Sequence, residues 1–163
     1  MSERKAKLRE YLQEKHDCVV SVLDRLTSDD WTATVYSPDH AATWTIHDVL
    51  AHLADSTRGQ LRNARLISKG EDPIPPEFDL QRWNKRVVSK AVEENTGELA
   101  DTIRNTFAAW IEFLDEVPED ALDNEGRHPG GQTESVEGYL RVYASHEANH
   151  IADLEKSFNE AAG

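Results

Sequence analysis

The residues best suited to chemistry in this chain lie in His146-Glu147-Ala148-Asn149-His150. Two imidazoles four residues apart on a helix sit one turn apart and about 40° apart around the axis, so both can approach one ion. Spacing alone fits a packed or solvated pair as well as a metal-binding pair. A third donor would separate the two readings, because a site that keeps a position for water or substrate commonly holds its ion through three protein groups. His52 is the candidate, placed in Asp48-Val49-Leu50-Ala51-His52-Leu53-Ala54 next round a helix from the apolar Val49. A histidine at such a rim can equally be a packed residue. If His52, His146 and His150 converge, the set suits a divalent metal, since imidazole serves zinc, nickel, copper and iron alike.

Tyr139 and Tyr143 share the stripe of His146 and His150, whereas Leu140, Ile151 and Phe158 lie further round toward a core. The pair is therefore expected beside a pocket at the edge of the interior. The two tyrosines are candidates for orienting a substrate or supplying a hydrogen bond, with core packing as the alternative. Glu147 and Asp153 read as surface carboxylates or as partners of the ring N–H groups. His47, in a first helical turn, is expected to be exposed, and His16, His40 and His128 to be exposed or structural. Cys18 is the only cysteine, which excludes an internal disulfide and a thiolate cluster. Its neighbours Val19 and Val20 suggest a buried structural thiol. His146-Glu147-x-x-His150 also matches the zincin peptidase pattern. Against that reading, few residues follow His150 to supply a further ligand, and no strand edge offers itself to an extended peptide.

The elements that must position these groups are helices. Leu8, Tyr11, Leu12, Val19, Leu23 and Leu26 recur at helical spacing over about 3–26. Thr45 with Asp48 three residues on forms a capping box, flanked by Trp44 and Val49 at the staple positions, and a second helix runs from there to Lys69-Gly70. Pro73, Pro75 and Pro76 make 70–77 an irregular crossing connection. A short helix over about 79–94 follows. Asn95-Thr96-Gly97 opens the next long one, which ends at Pro118, and a last helix starts near Thr133. No segment shows strand alternation. The expectation is an all-α single domain over 1–163, a four-helix bundle with a long crossing connection and a short extra helix between the second and third long helices.

Composition narrows the partners. With 31 acidic against 18 basic residues the net charge is −13, which repels a phosphate backbone or an anionic membrane, and no basic patch stands out. No apolar run approaches the roughly 20 residues that a bilayer-spanning helix needs. The charged opening residues lack the apolar stretch of a secretory signal, so the expected location is cytoplasmic. A small-molecule partner is expected, with neither nucleic acid nor membrane.

Thr43-Trp44-Thr45-Ile46-His47-Asp48-Val49-Leu50-Ala51-His52-Leu53, taken with the final His146-x-x-x-His150, resembles the DinB-like metalloprotein superfamily, including its branch with mycothiol-dependent maleylpyruvate isomerases. Phe78-Asp79-Leu80-Gln81-Arg82-Trp83-Asn84-Lys85-Arg86-Val87-Val88 resembles the short crossing helix of that branch. The resemblance implies a divalent ion, zinc or nickel first, held by His52, His146 and His150. It also implies a metal-dependent S-transferase or isomerase that uses a low-molecular-weight thiol such as mycothiol or bacillithiol on a small electrophile. A homodimer is a further expectation. The isomerases carry an additional C-terminal domain; the expectation is that this chain lacks it, which sets it apart from that specific activity. The alternative is a bundle of the stress response that binds a metal or small ligand without turnover.

Overall fold

The computed structural model describes residues 1–37 and 43–162, with side chains through Phe158. Five helices carry it: α1 (Glu3–Leu23), α2 (Ile46–Ile67), α3 (Leu80–Lys90), α4 (Thr96–Glu116) and α5 (Val136–Ala162). The four long ones form the bundle, with α5 against α1 and α2, and α4 against α2 and α1. The short α3 lies on α2, at the end of the proline-rich connection expected to cross there. His40 falls outside the described residues.

The helix starts follow local chemistry. Thr45 and Asp48 make the reciprocal capping box on α2, satisfying two backbone N–H groups that the helix leaves orphaned. Ser2, Asp79 and Asn95 cap α1, α3 and α4 through their side-chain oxygens. The inner face of α2 then feeds two apolar clusters. Val49, Leu50, Leu53 and Ala54 pack with Val19, Leu23, Ile103 and Leu154; Leu61, Ala64 and Ile67 pack with Leu8, Leu12, Leu114 and Leu140. Burial of each large aliphatic side chain contributes about 1.5–3 kcal/mol before chain entropy is set against it.

Two short antiparallel hairpins add to the helices, a feature the sequence did not announce because strands of two or three residues are too short to show alternation. β1 (Thr34–Tyr36) pairs with β2 (Trp44–Thr45), and β3 (Glu125–Arg127) with β4 (Thr133–Ser135). The first runs directly into the α2 cap, where Ile46 N–H donates to Ala33 O and His47 N–H to Trp31 O. The second leads into α5 and displaces its start to Val136. Gly126 in β3 lies so close to α2 that an added Cβ would stand 2.6 Å from Ile67 Cγ1, and Gly131 in the turn has φ +98°. A side chain is excluded at the first and strained at the second.

Candidate metal centre

His52 from α2 meets His146 and His150 from α5 at the wall of a cavity of about 430 Å³. The Nε2 atoms of His52 and His146 are 3.3 Å apart, those of His150 and His146 3.1 Å, and the three facing nitrogens all lie within 4.8 Å of one another. His52 is buried and the other two are half-buried. A tetrahedral ion with nitrogen ligands at 2.0–2.1 Å sets its donors about 3.3–3.4 Å apart, so the spacing suits one ion. A neutral imidazole carries one ring proton, so the three Nε2 positions cannot all be donors and acceptors to one another. A cation would meet three lone pairs at once.

Two hydrogen bonds fix one of these rings. Tyr36 Oη is 2.8 Å from Asp153 Oδ2 and 2.7 Å from His150 Nδ1. A carboxylate only accepts, so the phenol donates its single proton to Asp153 and its oxygen accepts Nδ1–H of His150. That tautomer leaves the Nε2 lone pair of His150 facing the cluster. Tyr36 lies on β1, whose pairing with β2 is continuous with the α2 cap. The turn that starts α2 therefore also delivers the phenol to α5.

Electrostatics keeps the imidazoles neutral. Burial pushes His146 down to about 3, and His150, His52 and His128 act in the same direction. Burial pushes His52 down to about 4, with His150 adding to it and the Asn84 side chain of α3 opposing. His150 is also lowered by burial, with the Asp153 charge opposing. Neutral rings are the ligating form, and for His52 and His146 they are present well below neutral pH.

The cavity runs along α2 under the crossing connection and α3. Trp44, Ile74, Phe78 and Trp83 give it apolar walls, and Ser56, Gln60, Asn63 and Asn84 give it polar points. Trp83 Nε1 donates to Asp55 Oδ2 at 2.9 Å, docking α3 on α2, while Arg127 Nη1 donates to Ile74 O and ties the connection to β3.

Several expectations change. Tyr139 and Tyr143 are fully or almost fully buried and are not among the cavity's lining residues. Tyr139 donates to Arg127 O at 2.6 Å, and Tyr143 stacks on Trp110 with ring centroids 4.0 Å apart. Both positions answer to packing. Glu147, read as a surface carboxylate, is buried at 3% exposure, because it falls 100° round α5 from His146 and toward the core. Desolvation raises it to about 8. His47 is half-buried instead of exposed: its Nδ1 meets Thr96 Oγ1 and its Nε2 meets Ala91 O, which locks the start of α4 to α2. Cys18 is exposed, since Val19 takes the core-facing position beside it. His16 stacks on Phe107 as a structural ring. His128 lines the cavity. Tyr36 and Asn63 were missed; no periodic signal marks the first, and the second shares the polar stripe of Ser56 and Gln60, which helical spacing alone does not distinguish from a solvated face.

The family model described as the DinB superfamily matches residues 38–154. The chain belongs to the DinB superfamily. Its similarity to proteins named "Putative metal-dependent hydrolase" extends to one from Bacillus licheniformis, 26% identical over 73% of this chain and 67% of that one, and one from Oceanobacillus iheyensis, 22% identical over 68% and 63%. The chain thus spans about two thirds of the length of these relatives. Among solved structures of the same fold is YfiT from Bacillus subtilis, described as a probable metal-dependent hydrolase with an unusual four-helix bundle topology. It superposes with a TM-score of 0.77 at 19% identity, covering 99% of this DinB superfamily chain and 90% of YfiT. An uncharacterised protein from Escherichia coli UTI89 gives 0.77 at 14% identity, over 97% and 94%. The four-helix bundle expected from the sequence is the observed fold. Among the described residues no helix is long and apolar enough to cross a membrane.

Proposed function

We propose that this protein is a metal-dependent enzyme in which His52, His146 and His150 hold one divalent ion, zinc or nickel, beside the cavity, and that it transfers a low-molecular-weight thiol such as mycothiol or bacillithiol to a small electrophile, or isomerises one. The observation that carries the reading is the convergence of three neutral Nε2 donors on one point of a cavity wall. An ion with an open position lowers the pKa of a bound thiol or water and so supplies a nucleophile at neutral pH. The chain's own contribution is to hold three imidazoles neutral, to fix the tautomer of His150 through Tyr36, and to enclose the reactants between apolar walls.

A second reading has water in place of the thiol, and the names of the relatives favour it. A third is a bundle that binds metal or a small ligand without turnover. Purified protein, with and without zinc or nickel, should be assayed against a panel of electrophiles with several thiols, and against esters and amides without them. Metal-dependent consumption of thiol supports transfer, and metal-dependent cleavage in the absence of thiol replaces it with hydrolysis. Tight metal binding with neither activity points to the binding protein.

A further inference from the structure

The cavity has a second polar end. His52, Ser56, Gln60 and Asn63 follow one stripe of α2 at steps of four, four and three residues. Eleven residues at a rise of about 1.5 Å put Asn63 about 16 Å along the helix from His52. Gly59 lies on the same wall, where a Cβ would meet nothing within 4 Å. Gly130 N–H donates to His128 Nδ1 at 3.0 Å, so the His128 proton resides on Nε2, which faces Gln60 Oε1 at 3.4 Å. That sets the Gln60 amide, whose Nε2 donates to Ser56 Oγ at 2.8 Å. Beyond this chain stands Asn63, with 5% exposure and no hydrogen-bond partner among the described residues. Its amide atoms open to the cavity and are unpaired by the described residues, so the acceptor and the donors are both available to a ligand carrying the matching pair.

We propose that the Asn63 end of the cavity is a subsite for a neutral carboxamide group of an extended substrate whose reacting end lies toward the three histidines. Asn63 offers one acceptor and an N–H donor side by side, the complement of an amide edge. The groups around it that are held in place, Gln60 and His128, are uncharged donors and acceptors, and the cation nearby, Arg62, is exposed at the cavity's lining. Burying a carboxylate here would cost more than burying an amide. The proposal takes the cavity as the substrate site, as in the function proposed above, and does not depend on the ion.

The test uses three small molecules of nearly one shape, hexanamide, 2-heptanone and hexanoate, titrated into isotopically labelled protein while the side-chain amide resonances of Asn63 and Gln60 are followed. Metal-free and zinc-loaded protein are both titrated. Hexanamide should shift the Asn63 signal and bind about tenfold more tightly than 2-heptanone, the gain of one well-made hydrogen-bond pair, with or without zinc. Asn63→Leu should erase that preference by bringing the two affinities together. Asn63→Asp, which keeps the shape and removes the donor, should weaken hexanamide. Equal binding of hexanamide and the ketone to the unaltered protein, no shift at Asn63, or hexanoate binding tightest in an Arg62-dependent manner overturns the subsite. A failure of the metal centre appears instead as absence of zinc binding, and leaves the amide preference measurable in the metal-free protein.

Discussion

Two sets of ionisable groups on α5 lie within about two turns of each other, and they are built for opposite ends. In one, His146 and His150 turn their Nε2 atoms toward His52 and open space. In the other, Tyr143 stacks flat on Trp110, whose Nε1 donates to Thr57, and Glu147 is sealed in with Oε2 unpartnered. Neither residue type nor position round the helix separates the two sets, since Tyr143 shares the stripe of His146 and His150. What separates them is whether unused lone pairs converge on a cavity. Burial also acts on them with opposite sign, lowering the histidines and raising the carboxyl.

Truncation of the packed set has the largest expected effect. Tyr143→Ala should cost about 3–5 kcal/mol in denaturant unfolding, as loss of a buried aromatic does, and leave metal affinity of the folded fraction unchanged. If metal binding is lost in step with a small stability change, the two sets are not independent.

The stability of metal-free protein should also depend on pH in opposite directions for the two sets. Glu147 has a folded pKa of about 8 against an ordinary 4.5, so the folded state binds the extra proton and stability falls as pH rises from about 4.5 through 8. Glu147→Gln should remove that fall, gaining on the order of a few kcal/mol relative to the parent at pH 9 and little at pH 4. The histidines run the other way. His52 at about 4 and His146 at about 3 lie below the ordinary 6.5, so the unfolded state binds more protons and stability is lost as pH falls from about 6.5 through those values. His146→Ala should lessen the acid loss. Thermal melts across pH 4–9 check both slopes, and slopes of the same sign would refute the contrast.

A smaller effect tests how the histidine set is held. Tyr36→Phe keeps the ring and removes the oxygen that accepts from His150, and should weaken zinc binding by about 10–100-fold, the usual cost of losing a partner behind a ligand. Helix content should not change in circular dichroism. Unaltered affinity would mean that His150 needs no orienting group. The smallest effect is on the exposed face of α1, where Cys18→Ser should stay within about 0.5 kcal/mol of the parent.

Much of this was legible in the sequence because it is periodic or local. The capping box at Thr45, the prolines of the connection and the apolar steps of the long helices follow from short-range rules. His146 and His150 are tied by helical spacing, and His52 by its place beside Val49. The remainder depends on what lies across the bundle. Tyr36 reaches His150 from a strand of three residues with no pattern of its own, and Glu147 is buried although its charge argues for water. His47 and His128 find partners on elements distant in sequence, which spacing along their own segments could not reveal.

The central claim is that three histidines act as one ligand set, and equilibrium dialysis against zinc and nickel with elemental analysis tests it most directly. The unaltered protein should bind one ion per chain. His52→Ala, His146→Ala and His150→Ala should each lose at least about 100-fold in affinity while remaining folded, more than removing an orienting partner costs. Full, tight binding by His52→Ala would contradict the account.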